Sequence, residues 1–301
     1  LDKFKAHIIA KENGVKLTDL LIELPDSKIS SQSIEFSNLN DSLRQIGIDG
    51  ELNCRKISFD DLTPILPQLS SQLPELMFDI KGYMNNGIAQ GDITVAASDN
   101  SFRLNGNTRV VSPYSDEREI EATIDTLFIT EQAMEMLSSF FDRIPVELPR
   151  RIGDTSISGD IFYSKDSLDG NAVINRRSGI INADVLLDSC GNYMLTADGN
   201  DIHLGRILEN GSFEECDIKA TSKGNIRNTG ELADFDIEVS SLKLLEYTYA
   251  PIRITGKAND KGADATLITD DPNVALSAKM EYRKGQKEQK MWLTLNVDSI
   301  I

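Results

Sequence analysis

The chain has 301 residues, a formal net charge of −17 and an aromatic content of 6%. A polypeptide this acidic repels phosphate backbones, so we expect no nucleic acid as a partner. The three cysteines, Cys54, Cys190 and Cys216, are widely spaced and match no metal-ligand pattern. One disulfide between Cys190 and Cys216 and three buried free thiols are both compatible with this spacing.

Along the chain, apolar and polar residues alternate with a period of two, which predicts β-strands with one apolar face. Turn-forming residues interrupt the alternation about every 8–12 residues, as in sequential antiparallel strands. We therefore predict about 18–20 strands. Three of the clearest rows are Ile46, Ile48, Gly50, Leu52 and Cys54; Phe102, Leu104, Gly106, Thr108 and Val110; and Ile120, Ala122, Ile124, Thr126 and Phe128.

Two short segments have the spacing of helices rather than strands. The first is a helix near 60–69, which begins with acidic residues and ends close to a proline. The second is a helix near 130–141, for which Thr130 is the predicted N-cap. We expect few other helices, and the apolar stripe of the second one predicts core packing rather than a ligand site.

Two repeated patterns indicate how the strands are organised. A strand followed by a short apolar helix recurs around 57–62, 127–137 and 202–208, with a degenerate fourth copy at 242–247. Between these copies lie strands interrupted by glycine, as at Gly82, Gly159 and Gly256. Glycine inside a strand marks a bend or a close approach of backbones, and regular bends would curl a long sheet into a trough.

The predicted fold is all-β, with a long curled antiparallel sheet in the form of a β-groove and a few short helices. We divide the chain into β-repeat segments at 1–72, 73–150 and 151–301. They are expected to form one continuous elongated unit that belongs to a larger protein. The two histidines, His7 and His203, are far apart in sequence, and no catalytic motif surrounds them. We therefore expect no enzyme, no metal and no cofactor.

Three stretches resemble one known family. They are DLTPILPQL (61–69), the IKG, ISG and ITG strands, and DDPNVALSAKMEY (270–282). Together they are similar to the C-terminal β-repeat region of TamB proteins of the Bacteroidota, within the AsmA-like family. The resemblance implies a U-shaped groove that shields phospholipid acyl chains in the periplasm, for intermembrane lipid transport or outer-membrane protein assembly. It also implies an outer-membrane barrel-assembly protein as partner and an inner-membrane anchor outside this segment.

An open trough and an ordinary closed core would use the same apolar rows. If the trough is open, we predict that central members of the rows line it: Ile80, Leu104, Ile124, Ile161, Val185, Ile237, Leu276 and Leu295. The alternative function is a cell-surface adhesion or carbohydrate-binding module built of stacked β-sandwiches. Exposed aromatic platforms and bound calcium would favour that alternative, whereas the low aromatic content is evidence against it.

Overall fold

The structure is a computed structural model that describes residues 1–40, 45–62, 74–138, 151–228, 230, 232–249, 251–285 and 289–300. Strands account for 72% of it, and its 19 antiparallel strands belong to one sheet that is not closed. The all-β fold and the predicted strand number are confirmed. The chain divides into two compact units, unit 1 (residues 1–141 and 156–165) and unit 2 (residues 142–155 and 166–301).

Unit 1 contains nine strands, and from β1 to β8 each pairs antiparallel with the next. Short two-residue turns such as Asn86-Gly87 join several of them, since both residues adopt the positive φ that tight hairpins require. The strands are β1 (Lys3–Lys11), β2 (Gly14–Glu23), β3 (Lys28–Ser37), β4 (Gly47–Ile57), β5 (Leu76–Asn85), β6 (Ile88–Ala97), β7 (Phe102–Val111), β8 (Glu119–Ile129) and β9 (Thr155–Ser164).

Unit 2 continues the same up-and-down order. Its short strand β15 folds back on the end of β14, and β14 also pairs with β16 along most of its length. The strands are β10 (Ser167–Arg176), β11 (Gly179–Leu187), β12 (Asn192–His203), β13 (Phe213–Asn225), β14 (Ala233–Leu244), β15 (Tyr247–Tyr249), β16 (Ile252–Asn259), β17 (Gly262–Asp271), β18 (Val274–Lys284) and β19 (Gln289–Ile300).

Three short helices are described, α1 (Phe59–Leu62), α2 (Glu131–Ser138) and α3 (Leu204–Ile207). The first two confirm the start of both predicted helices. The remainder of each prediction, at 63–69 and 139–141, lies outside the described residues. The Thr130 hydroxyl accepts a hydrogen bond from the Ala133 amide at 3.3 Å, which confirms the predicted N-cap.

The fourth copy of the strand–helix pattern, at 242–247, is a correction, because no helix forms there. Leu245 and Glu246 instead both adopt positive φ, 50° and 66°, and turn the chain from β14 into β15. Two consecutive positive φ values make the tight turn of a β-hairpin. The neighbouring side chains pair across that hairpin, so local strand pairing replaces the helix.

Few apolar side chains of the described residues are buried, and all are of modest size: Leu20, Cys54, Ala97, Ala133, Ile202 and Cys216. Most of the remaining apolar side chains are half-buried on one face of the strands. Such a pattern is expected of a single layer of strands rather than of two sheets packed face to face. The three-segment division at 1–72, 73–150 and 151–301 stays a prediction beside the two compact units.

Candidate functional site: the apolar sheet faces

The strands of unit 1 carry their apolar side chains on a common face. Residues directly opposite each other in antiparallel strands lie on the same side of a sheet. Leu52 is opposite Ile80, and Ile80 is opposite Ile93. The row continues through Gly106 to Ile124. One apolar row therefore crosses five strands, from β4 to β8, and we call this side the apolar face of unit 1.

A row of small residues runs parallel to it. Gly50 is opposite Gly82, and Gly82 is opposite Gly91, which is followed by Thr108 and then Ala122. A Cβ atom on Gly82 would lie 2.5 Å from the carbonyl oxygen of Gln90 and 2.9 Å from the Cα of Gly91. No side chain fits at that distance, so glycine is required for the close approach of β5 and β6. The glycine-interrupted strand predicted at Gly82 is therefore a site of close backbone contact.

Four members of this row, Gly50, Gly82, Gly91 and Thr108, form the floor of a hollow of about 350 Å³ on the apolar face. We call this hollow the glycine-floored groove. It crosses the sheet from β3 to β7, about 19 Å at the usual ~4.8 Å spacing between strands. One acyl chain occupies half of a hydrocarbon core about 30 Å thick, or about 15 Å. Its apolar-face lining is Ile34, Ile48, Gly50, Leu52, Ile80, Gly82, Met84, Ala89, Gly91, Ile93, Thr108 and Val110.

The opposite face of unit 1 is polar. The Tyr83 hydroxyl donates a hydrogen bond to Gln90 at 3.2 Å. An ion pair of 3.3 Å joins Arg109 to Glu121, and the Thr123 hydroxyl donates to an Asp160 carboxylate oxygen at 2.7 Å. Each of these pairs joins side chains on neighbouring strands. The sheet of unit 1 is thus amphipathic, with a polar face behind the groove.

Unit 2 repeats this division between an apolar and a charged face. Its central apolar row contains, in order of cross-strand pairing, Ala172, Ala183, Ala197, Ala220, Ile237, Ile254, Leu267, Ala278 and Leu295. We call the side that carries this row the apolar face of unit 2. The first four members are alanines, so the side chains of this row are short from β10 to β13 and become longer at β14.

On the charged face of unit 2, basic and acidic strands alternate. Lys219 lies opposite Glu238, and Glu238 lies opposite Arg253. Arg253 also donates two hydrogen bonds to Asp236, at 3.0 and 2.6 Å. That guanidinium group lowers the pKa of the Asp236 carboxyl below its ordinary value. A hollow of about 430 Å³ on this side is lined mainly by charged residues. Three of them form ion pairs with residues outside the lining: Lys219 with Asp198, Asp234 with Lys257 and Asp236 with Arg253.

Of the eight predicted lining residues, four lie in unit 1. Ile80, Leu104 and Ile124 belong to its apolar face by register. Ile161 follows Asp160 in β9, and Asp160 bonds to Thr123 on the polar face, so alternation directs Ile161 to the apolar side. Only Ile80 also lines the glycine-floored groove.

The other four predicted residues lie in unit 2. Ile237 and Leu295 are in its central row, and Val185 and Leu276 are two residues along their strands from Ala183 and Ala278 of that row. The exposed fractions of Ile80, Ile161 and Leu295 are 38%, 39% and 56%. These apolar side chains reach solvent, whereas closed-core positions would be covered.

Sequence reasoning missed the groove's central feature, the direct alignment of Gly50, Gly82 and Gly91. Each glycine was visible as an interruption of a strand, but only the register shows that they are neighbours. One predicted row is also corrected: Asp125 is an extra residue between the pairs Gly106–Ile124 and Asn105–Thr126. Thr126 and Phe128 consequently lie on the polar side, and Leu127 replaces them on the apolar face.

Each of the two histidines has one carboxylate close to it. His7 lies 3.1 Å from Asp19, and His203 lies 3.6 Å from Glu215, both on exposed surfaces. No group of three or more potential metal ligands occurs among the described residues. The cysteines are free, with Cys54 and Cys216 buried and Cys190 exposed. The Cys190–Cys216 disulfide is therefore not formed, and Cys190 is not one of three buried thiols.

Comparison with protein-family models, with curated proteins and with solved structures finds no match to this chain. The resemblance to the TamB/AsmA-like family thus stays a prediction. Within the described ranges, no helix has the length and apolar character needed to cross a membrane.

Proposed function

We propose that this chain is a non-enzymatic segment of an envelope protein that shelters phospholipid acyl chains on its apolar sheet faces. The observation that carries the proposal is the glycine-floored groove on the apolar face of unit 1. Its estimated length of about 19 Å exceeds the ~15 Å of one acyl chain. Its volume of about 350 Å³ is at the lower end for small-molecule sites.

The composition of the groove favours a hydrocarbon ligand. Its walls are aliphatic. The five polar or aromatic residues that also border the hollow, Glu51, Lys81, Tyr83, Gln90 and Asp92, direct their side chains to the opposite face by alternation. The one hydroxyl on its floor, that of Thr108, donates to the backbone carbonyl of Glu121 at 3.2 Å. A ligand therefore gains little from polar groups and much from burying apolar surface, about 25 cal/mol per Å².

Solubility and lipid binding can coexist because the two faces differ. Large contiguous apolar patches are rare on soluble proteins unless something covers them. The hydrated opposite faces, with pairs such as Arg109–Glu121 and Arg253–Asp236, remain compatible with water. The periplasmic location, the inner-membrane anchor of the parent protein and the outer-membrane barrel-assembly partner are proposed from the family resemblance alone.

The first experiment is native mass spectrometry, with lipid extraction, of the protein purified from its own cell envelope. We expect phospholipid in stoichiometric amounts. Site-specific evidence comes from a photo-crosslinking amino acid placed at Ala89 in the groove or at Gln90, its neighbour on the opposite face. Lipid adducts should form at 89 and be absent or rare at 90.

A matched pair of substitutions completes the test. Ile80 and Met77 lie on β5 with almost equal exposure, 38% and 39%, but on opposite faces. Ile80→Asp should reduce the adduct at position 89 several-fold, whereas Met77→Asp should leave it unchanged, with circular dichroism verifying that both variants are folded. A lipid-free native protein, or equal adducts at 89 and 90, would refute the proposal.

A further inference from the structure

A single arginine lies at the end of the apolar face of unit 2. Arg176 is the last residue of β10, and it points to the same side as Ile174 and Ala172 because these positions are two and four residues away. Its direct partner across the strands is Gly179, which contributes no side chain and adopts a φ of +120°. The guanidinium therefore borders the apolar face next to a position that has no side chain of its own, where the Ile202 side chain and the Asp201 carbonyl oxygen pack closely.

No protein anion neutralises this arginine within the described residues. Its Nε atom is buried and lacks a hydrogen-bond partner. The adjacent Arg177 instead pairs with Asp154, at 3.2 Å. The acidic residues of β10 and β11, Asp169 and Asp184, lie on the opposite face by register. Among the residues of β10 and β11 on the apolar face, Arg176 is the only charged one.

An arginine without a counter-charge is unusual in a protein of net charge −17. Burial lowers the pKa of the Arg176 guanidinium from its ordinary value, since partial desolvation disfavours the charged form. An arginine nevertheless stays protonated at physiological pH. A partly desolvated positive charge is costly unless a negative group joins it, and such a buried unsatisfied atom requires an explanation.

We propose that Arg176 binds the anionic headgroup of a lipid whose acyl chain lies on the apolar face of unit 2. The proposal rests on the function proposed above and adds the headgroup charge to it. The guanidinium offers two parallel N–H groups that match carboxylate or phosphate oxygens. From Arg176 back to Leu168 the strand rises about 27 Å, which is longer than the ~15 Å of an acyl chain. Gly170, Ala172 and Ile174 provide the floor along this path.

The test compares two probes that share one hydrocarbon chain, the fluorescent fatty acid cis-parinaric acid and its methyl ester, at a pH well above the carboxyl pKa. The native protein should bind the acid about tenfold more tightly than the ester, the effect of one charged hydrogen-bonded contact. Arg176→Gln should abolish that preference, because it should weaken binding of the acid to about the affinity that the native protein has for the ester. Arg177→Gln, the matched control at the next residue, should keep the preference, as should Arg176→Lys in large part.

Stability provides an independent readout. Without lipid, Arg176→Gln should unfold at no lower urea concentration than the native protein, because it removes an uncompensated charge. If neither probe binds the native protein, the proposed function itself fails. If both probes bind but the acid has no advantage, or if Arg176→Gln keeps that advantage, acyl-chain binding stands and the role of Arg176 is refuted.

Discussion

The contact between Gly82 and Gly91 gives the sharpest test of how unit 1 is built. Replacing Gly82 with alanine adds one methyl group, whose carbon would lie 2.5 Å from the Gln90 carbonyl oxygen. Ordinary van der Waals contact begins at 3.4 Å, so β5 and β6 would have to separate locally. The atom that must move is backbone within a hydrogen-bonded ladder, and it cannot rotate away as a flexible side chain could.

Two effects of opposite sign determine how much Gly82→Ala changes the stability of unit 1. Alanine restricts the unfolded chain and would stabilise a compatible site by about 0.4–1 kcal/mol. Overpacking of a site that cannot expand costs about 1–3 kcal/mol. Because the clash involves both the Gln90 oxygen and the Gly91 Cα, we expect the second effect to dominate. Gly82→Ala should therefore destabilise unit 1 by about 1–2 kcal/mol.

Hydrogen exchange of peptides from β5 and β6 measures the effect locally, and urea unfolding followed by circular dichroism measures it globally. The matched control is Gly211→Ala, where an added Cβ meets nothing within 4 Å. It should be neutral or slightly stabilising. If Gly82→Ala were as stable as Gly211→Ala, with unchanged exchange in β5 and β6, the inference that β5 and β6 approach closely at the groove floor would be refuted.

Two further predictions concern ionisable groups. The pKa of Asp236 is lowered mainly by its hydrogen bonds with Arg253. The stabilisation that this ion pair gives is therefore complete above the ordinary aspartate pKa of about 3.9, and it disappears as the pH falls through the lower pKa of the folded state. Asp236→Asn should therefore lower the urea midpoint at neutral pH and reduce its fall below about pH 4; an unchanged pH profile would show that the pair adds nothing. For the thiols, burial raises the pKa of Cys54 and of Cys216, each only 2% exposed, whereas Cys190 is exposed. Iodoacetamide should thus label Cys190 alone in the native protein and all three cysteines in denaturant, as read by peptide mass spectrometry; rapid native labelling of Cys54 or Cys216 would contradict their burial.

Features that depend on a few adjacent residues were predictable from the sequence. The Thr130 cap is one, because a threonine before a helical stripe satisfies an amide only three residues away, that of Ala133. The helix that was wrongly predicted at 242–247 also rested on a pattern of adjacent residues. There the strand Tyr247–Tyr249 pairs with the end of β14, and this pairing requires a tight turn through Leu245 and Glu246 instead of a helix. Pairing with a neighbouring strand decided between the two.

The candidate site was predictable only in part. Alternation assigned Ile80 and Ile237 to apolar faces, and the register agrees with that assignment. The groove itself required the alignment of Gly50, Gly82 and Gly91, which come from three different strands. Arg176 gave no signal in the sequence, since an arginine at a strand end is ordinary. Its proposed role rests on the absence of an acid on its face among the described residues of β10 and β11.

The sequence by itself determined that this protein is an antiparallel β-structure with one apolar and one polar face, because a period of two is a local property of extended backbone. The tertiary structure alone decided which residues share a face after each irregularity. A single inserted residue, Asp125, places Ile124 and Leu127 on the same side, although strict alternation would separate them. Register depends on pairing between strands, and one extra residue reverses the side on which every later side chain lies. The groove and its glycine floor are consequences of that pairing.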